Sequence, residues 1–123
     1  MNVLLIEDDF LARSFLEELF QKLNCHVSCA CDGEDGWGQL ILFSGKIDLI
    51  CLDWDMPKMN GIDFVKRLRN FEKTKEIAVL MCTGKNDLES IKEALACGVN
   101  EFLMKPYVKE MVVEKVRMIG LEM

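Results

Sequence analysis

Apolar runs of four residues recur along the chain, and two of them end in acid. Val3-Leu4-Leu5-Ile6 is followed by Glu7-Asp8-Asp9, and Leu49-Ile50-Cys51-Leu52 by Asp53-Trp54-Asp55. A short β-prone run bounded by charge reads as a strand buried on both faces. Similar runs predict strands at 2–6, 26–31, 48–52, 77–82 and 99–104. Between them the period changes to that of a helix. Phe10, Leu11, Phe15, Leu16, Leu19, Phe20 and Leu23 form the first stripe, and Trp37, Leu40 and Ile41 the second. Ile62, Val65 and Leu68 form the third, Leu88, Ile91 and Leu95 the fourth, and Val108, Met111, Val112, Val116 and Ile119 the last. Such stripes are read as core.

Gly98 stands where a left-handed helix cap is wanted, and Asp32-Gly33 and Asn60-Gly61 mark turns or helix entries. The pattern is a βα unit repeated five times. Strands joined by helices require crossover connections, which give an α/β fold with a five-stranded parallel sheet and helices on both faces. The carboxyl ends of the strands then share one edge, where such sheets bind ligands. Glu7, Asp8, Asp53 and Asp55 are placed there, and Thr83 and Lys105-Pro106 end two further apolar runs at the same edge.

At 123 residues, half of them apolar, the chain fits one domain with a conventional core. The net charge of −6 argues against a direct nucleic-acid partner, because that association rests on basic groups that displace counterions. No apolar stretch approaches the ~20 residues that span a bilayer, so the chain is read as soluble and cytoplasmic, with no membrane partner. The six cysteines, Cys25, Cys29, Cys31, Cys51, Cys82 and Cys97, fall short of the ~8 to 10% of a disulfide scaffold and are read as mostly structural. Cys25 and His26 lack a second ligand pair at zinc-finger spacing.

Carboxylates held together at a partly desolvated edge either raise one another's pKa or bind a hard cation. Mg²⁺ suits one or two carboxylates together with phosphate oxygens and water. Such an ion would make Asp53 usable as a phosphoryl acceptor, with Lys105 on another phosphate oxygen and Thr83 donating a hydrogen bond.

Glu7-Asp8, Asp53 with Met56-Pro57 and Gly61, Thr83-Gly84, and Phe102 followed by Lys105-Pro106 occur in order on successive strands. In these motifs the chain resembles the receiver domain of bacterial two-component response regulators, over essentially its whole length. The resemblance implies a flavodoxin-like (βα)5 fold with strand order 2-1-3-4-5. It implies that Asp53 accepts a phosphoryl group from a sensor histidine kinase or a phosphotransfer protein. Asp8, Asp53 and the main-chain carbonyl of Asp55 would ligate Mg²⁺, with Glu7 acting through water. Thr83 and Lys105 would hold the acyl phosphate, and Phe102 would be an aromatic switch that turns inward as Thr83 moves. A cis bond is frequent in the family at the position of Lys105-Pro106. Phosphorylation would shift a two-state equilibrium and alter the face made by the fourth helix, fifth strand and fifth helix, changing partner binding.

Asp9 reads as a first-turn helix residue favoured by the helix dipole, and Met56 and Pro57 as shaping the acceptor loop. Asp55 and Lys85 occupy positions that vary in the family. They are expected to pair, and Asp55 to tune the lifetime of the phosphorylated form. Residues 1–123 are expected to form a receiver with no output domain, acting through an unidentified downstream protein and not as a turnover enzyme. The competing enzyme reading is a haloacid-dehalogenase-like phosphatase using Asp53 and Asp55. Against it, the acidic pair lies on the third strand instead of the first, and Pro57 stands where Thr or Val is expected. A flavodoxin-like cofactor carrier has the same architecture, but no Ser/Thr/Gly-rich phosphate loop follows the first strand of this chain.

Overall fold

A computed structural model describes residues 1–43 and 46–121. Five strands, β1 (Asn2–Ile6), β2 (His26–Ala30), β3 (Leu49–Asp53), β4 (Ala78–Thr83) and β5 (Glu101–Met104), alternate with five helices. These are α1 (Phe10–Lys22), α2 (Gly33–Leu42), α3 (Gly61–Arg69), α4 (Leu88–Cys97) and α5 (Lys109–Ile119). All strand pairs are parallel and the order is β2-β1-β3-β4-β5. The expected α/β architecture and strand order are therefore present, with strand ends shifted by one or two residues.

Burial follows from the pleat, because successive side chains point to opposite faces. Leu4, Ile6, Ile50 and Leu52 join one core with residues of α2, α3 and α4. Val3, Leu5, Leu49 and Cys51 join a second core with Leu16, Leu19 and Phe20 of α1 and Val112 and Val116 of α5. A strand covered on both sides has no polar face, and so β1 and β3 read as unbroken apolar runs.

Four helices begin with a capping side chain. Asp9, Asp32, Asn60 and Asp87 accept from the backbone N–H groups of Ala12, Asp35, Asp63 and Ser90. Each cap is worth about 0.5–2 kcal/mol. Asp9 is thus the residue before the helix and not one of its first turn, because its carboxylate satisfies an N–H group that would otherwise be unpaired. Gly98 ends α4 at φ +111°, and a Cβ there would lie 2.8 Å from Arg69 Nε. That arginine gathers the carbonyls of Lys75, Ile77 and Gly98 and the amide oxygen of Asn100, which ties α3 to the amino-terminal edge of the sheet. Asn100 Oδ1 also accepts from Val79 N–H at 2.8 Å while the Asn100 N–H donates to the Val79 carbonyl at 3.0 Å, so a side chain stands in for one strand carbonyl and regular β5 begins later than the apolar pattern indicates.

Several stripe residues are not core. Phe10, Leu11, Leu88, Leu95 and Val108 are more than half exposed. Phe10, Leu88 and Val108 lie at or next to helix starts near the carboxyl edge, where the first turn projects beyond the sheet it would cover. Cys25, Cys51 and Cys82 are buried, Cys29 and Cys97 half-buried and Cys31 exposed, and all six are free thiols.

Candidate functional site

The carboxyl ends of β1, β3, β4 and β5 bring the expected residues to one edge. Glu7 follows β1, Asp53 and Thr83 end β3 and β4, and Lys105 follows β5. Glu7, Asp8 and Asp53 each offer a carboxylate oxygen within 4.8 Å of the others. Lys105 Nζ lies 3.2 Å from Glu7 Oε1 and 3.4 Å from Asp53 Oδ1. Lys105-Pro106 is a cis bond, and the Lys105 N–H donates to the Thr83 carbonyl at 2.8 Å.

Glu7 is 3% exposed and Asp53 8%, while Asp8 faces solvent. Burial, reinforced by the hydrogen bond and charge of Asp53, pushes the Glu7 carboxyl up to about 8 against the pull of Lys105. For Lys105, burial favours the neutral amine, but the Asp53 and Glu7 carboxylates outweigh it and hold the pKa above the ordinary lysine value. Near neutral pH the lysine therefore stays charged, while Glu7 retains a proton much of the time. Glu7 Oε2 is buried without a hydrogen-bond partner. A buried carboxylate oxygen left orphaned beside two further carboxylates fits a site built to meet a hard cation or its water.

Thr83 is fully buried, and its Oγ1 accepts from the Lys85 N–H at 3.1 Å. A hydroxyl that accepts still has its own proton to donate. Phe102 is only 8% exposed and stands edge-on to Trp54, with ring centroids 6.4 Å apart. The aromatic expected to turn inward is already inward here. Asp55 is exposed and makes no ion pair with Lys85 among the described residues. The Lys85 ammonium lies instead over the Trp54 ring, 5.3 Å from its centroid, so the expected pairing is replaced by a cation–π contact.

One support was not anticipated, and a second, Gly61, was expected only as part of the acceptor motif. Arg13 Nη1 donates to the Glu7 carbonyl at 2.8 Å, fixing the acidic loop from inside α1. An arginine one turn into the helix that follows an acidic loop was the available signal. Gly61 brings the acceptor loop close, since its N–H donates to the Trp54 carbonyl at 2.7 Å. A Cβ at that position would lie 2.7 Å from the Asp53 carbonyl oxygen and 2.9 Å from Trp54 Cα. Backbone cannot yield as a flexible side chain can. Gly61→Ala is therefore expected to cost about 1–3 kcal/mol of stability in urea denaturation.

A model of the response regulator receiver domain matches residues 3–117. The chain belongs to that family. It is 32% identical to the chemotaxis protein CheY of Pseudomonas aeruginosa over 120 residues, 97% of this chain and 95% of that protein. It is 34% identical to CheY-3 of Vibrio cholerae over 116 residues, 94% of this chain and 88% of that one. Its fold matches a CheX-CheY-BeF3-Mg²⁺ complex structure from Borrelia burgdorferi at a TM-score of 0.92 and 26% identity, covering 99% of this chain and 90% of that one. The receiver is a phosphorylation-dependent signalling switch. The phosphatase reading finds no support, and the second acid it requires, Asp55, lies outside the cluster of Glu7, Asp8 and Asp53. No helix among the described residues is long and apolar enough to cross a membrane.

Proposed function

We propose that Asp53 is the phospho-acceptor, receiving its group from a phosphohistidine on a sensor histidine kinase or a phosphotransfer protein. The observation that carries this reading is the position of Asp53 Oδ1, 3.4 Å from Lys105 Nζ and grouped with the carboxylates of Glu7 and Asp8. An Asp53 oxygen forms the new bond to phosphorus as the donor's N–P bond breaks, and the leaving imidazole takes up a proton. Lys105 holds a transferred phosphoryl oxygen by charge, and Thr83 turns its free O–H proton to another.

Asp8, Asp53 and the main-chain carbonyl of Asp55 would hold Mg²⁺, with Glu7 acting through a water. When bound, the ion offsets the repulsion between the carboxylate nucleophile and the phosphoryl oxygens. Thr83 and Phe102 then relay the change to α4, β5 and α5, and that face exchanges protein partners. Asp55, exposed beside the acceptor, tunes the lifetime of the acyl phosphate through its access to water, and Lys85 belongs to the same tuning pair of positions. The acceptor is modified once per donor, so the protein acts as a cytoplasmic signalling partner and not as a turnover enzyme. The match across most of the length of its chemotaxis relatives supports an output made by exchange of protein partners.

The test is intact mass after incubation with acetyl phosphate. One phosphoryl increment that requires Mg²⁺ is expected. No increment with either acetyl phosphate or a phosphohistidine donor would overturn the assignment.

A further inference from the structure

Lys85 is attached to the site at both ends. Its backbone N–H donates to Thr83 Oγ1 at 3.1 Å, and its ammonium lies 5.3 Å from the centre of the Trp54 ring. Among the described residues no carboxylate lies within the 4.0 Å of an ion pair with it. The indole is the group this charge lies against, while the Asp87 carboxylate that caps α4 feels it from beyond ion-pair distance. Trp54 itself is 7% exposed, and its carbonyl is held by the Gly61 N–H at 2.7 Å. Its ring meets Phe102 at an interplanar angle of 77°, the edge-on geometry in which one ring's positive rim meets the other's negative face. A continuous stack thus runs from the β4–α4 loop, across the residue after the acceptor, to β5.

We infer that Lys85 is a positioning residue that clamps Trp54 and, through it, holds Phe102 inward, a role that rests on the receiver reading proposed above. The ammonium acts on the indole face without touching a reacting atom. Thr83 and Lys85 are joined by a hydrogen bond, so a shift of the Thr83 hydroxyl toward a phosphoryl group carries the backbone of Lys85 with it. The cation on Trp54 then favours the same inward Phe102 that the switch uses. A partly exposed cation–π contact changes such an equilibrium by roughly two- to five-fold.

Lys85→Met keeps the backbone N–H and a stem of similar length while removing the charge, and Lys85→Arg keeps a cation. The chain has two tryptophans, Trp37 and Trp54, so two indole N–H resonances appear in a nitrogen–proton NMR spectrum. Trp37→Phe assigns them. Beryllium fluoride with magnesium chloride is titrated while the Trp54 resonance is followed. Lys85→Met is expected to move that resonance in the free protein and to raise the titration midpoint roughly two- to five-fold, with Lys85→Arg close to wild type. An unchanged or lowered midpoint in Lys85→Met, or equal losses in Met and Arg, overturns the clamp. So does an Asp55→Asn variant that moves the free-protein resonance as Lys85→Met does, because an ion pair would then hold Lys85. A wild-type protein that does not respond to beryllium fluoride overturns the receiver reading itself, and the clamp with it.

Discussion

Asp53→Asn is expected to take up no phosphoryl group under conditions in which the wild type gains one, with intact mass as the measurement. The amide has the shape of the carboxylate and lacks its nucleophilic charge. Lys105 remains beside Glu7 at 3.2 Å, so loss of uptake would not reflect collapse of the edge. A second consequence separates the acceptor from a bystander. Asp53 raises the Glu7 pKa through both a hydrogen bond and charge, second only to burial. With Asn at 53 the Glu7 carboxyl ionises more readily, and each unit by which its pKa falls is worth about 1.4 kcal/mol. The decline in metal-free stability between about pH 5 and 8 should therefore be smaller in the variant than in wild type, read in urea. Phosphoryl uptake by the variant would place the acceptor elsewhere.

The sequence made the fold legible because β1 and β3 are buried on both faces, and an unbroken apolar run that stops at an acid fits little besides the end of such a strand. It placed Glu7, Asp53, Thr83 and Lys105 at one edge because a parallel sheet aligns the carboxyl ends of its strands. What it could not supply were distances among side chains from different strands. Asp55 and Lys85 each sit two residues beyond a site residue, and opposite charge suggested a pair. A buried indole offered Lys85 a nearer partner, and that competition is visible only in three dimensions. The resting position of the Phe102 ring was not legible for a similar reason, since it depends on the Trp54 ring beside it. Exposed Phe10 and Leu11 fit the helical period as well as buried Leu16 does. Periodicity records the face of a helix and not where the sheet beneath it stops.

The orphaned oxygen of Glu7 leads to the other large expected effect, a fall in metal-free stability between about pH 4.5 and 8. An ordinary glutamate has a pKa of 4.5, and Glu7 in the folded chain is pushed up to about 8, chiefly by burial. Below the lower value it is protonated in both states and its contribution is fully present. Between the two values the unfolded chain releases the proton while the folded chain keeps it, so stability falls as pH rises and then levels off. The shift corresponds to a loss on the order of 5 kcal/mol across the window. Asp32 and Asp87 titrate below their ordinary value and act at lower pH, with the opposite sign. Lys105 and the raised Cys25, Cys29, Cys82 and Cys97 titrate above it. Urea denaturation in a chelator at intervals across this range should show the decline, and Glu7→Gln should flatten it. Mg²⁺ should restore stability more at pH 8 than at pH 5, because the proton and the ion compete for the same cluster. At 100 times its dissociation constant a ligand that binds only the folded state adds about 2.7 kcal/mol. A flat profile in the chelator would show that Glu7 is hydrated in solution. An Mg²⁺ effect independent of pH would place the ion away from Glu7.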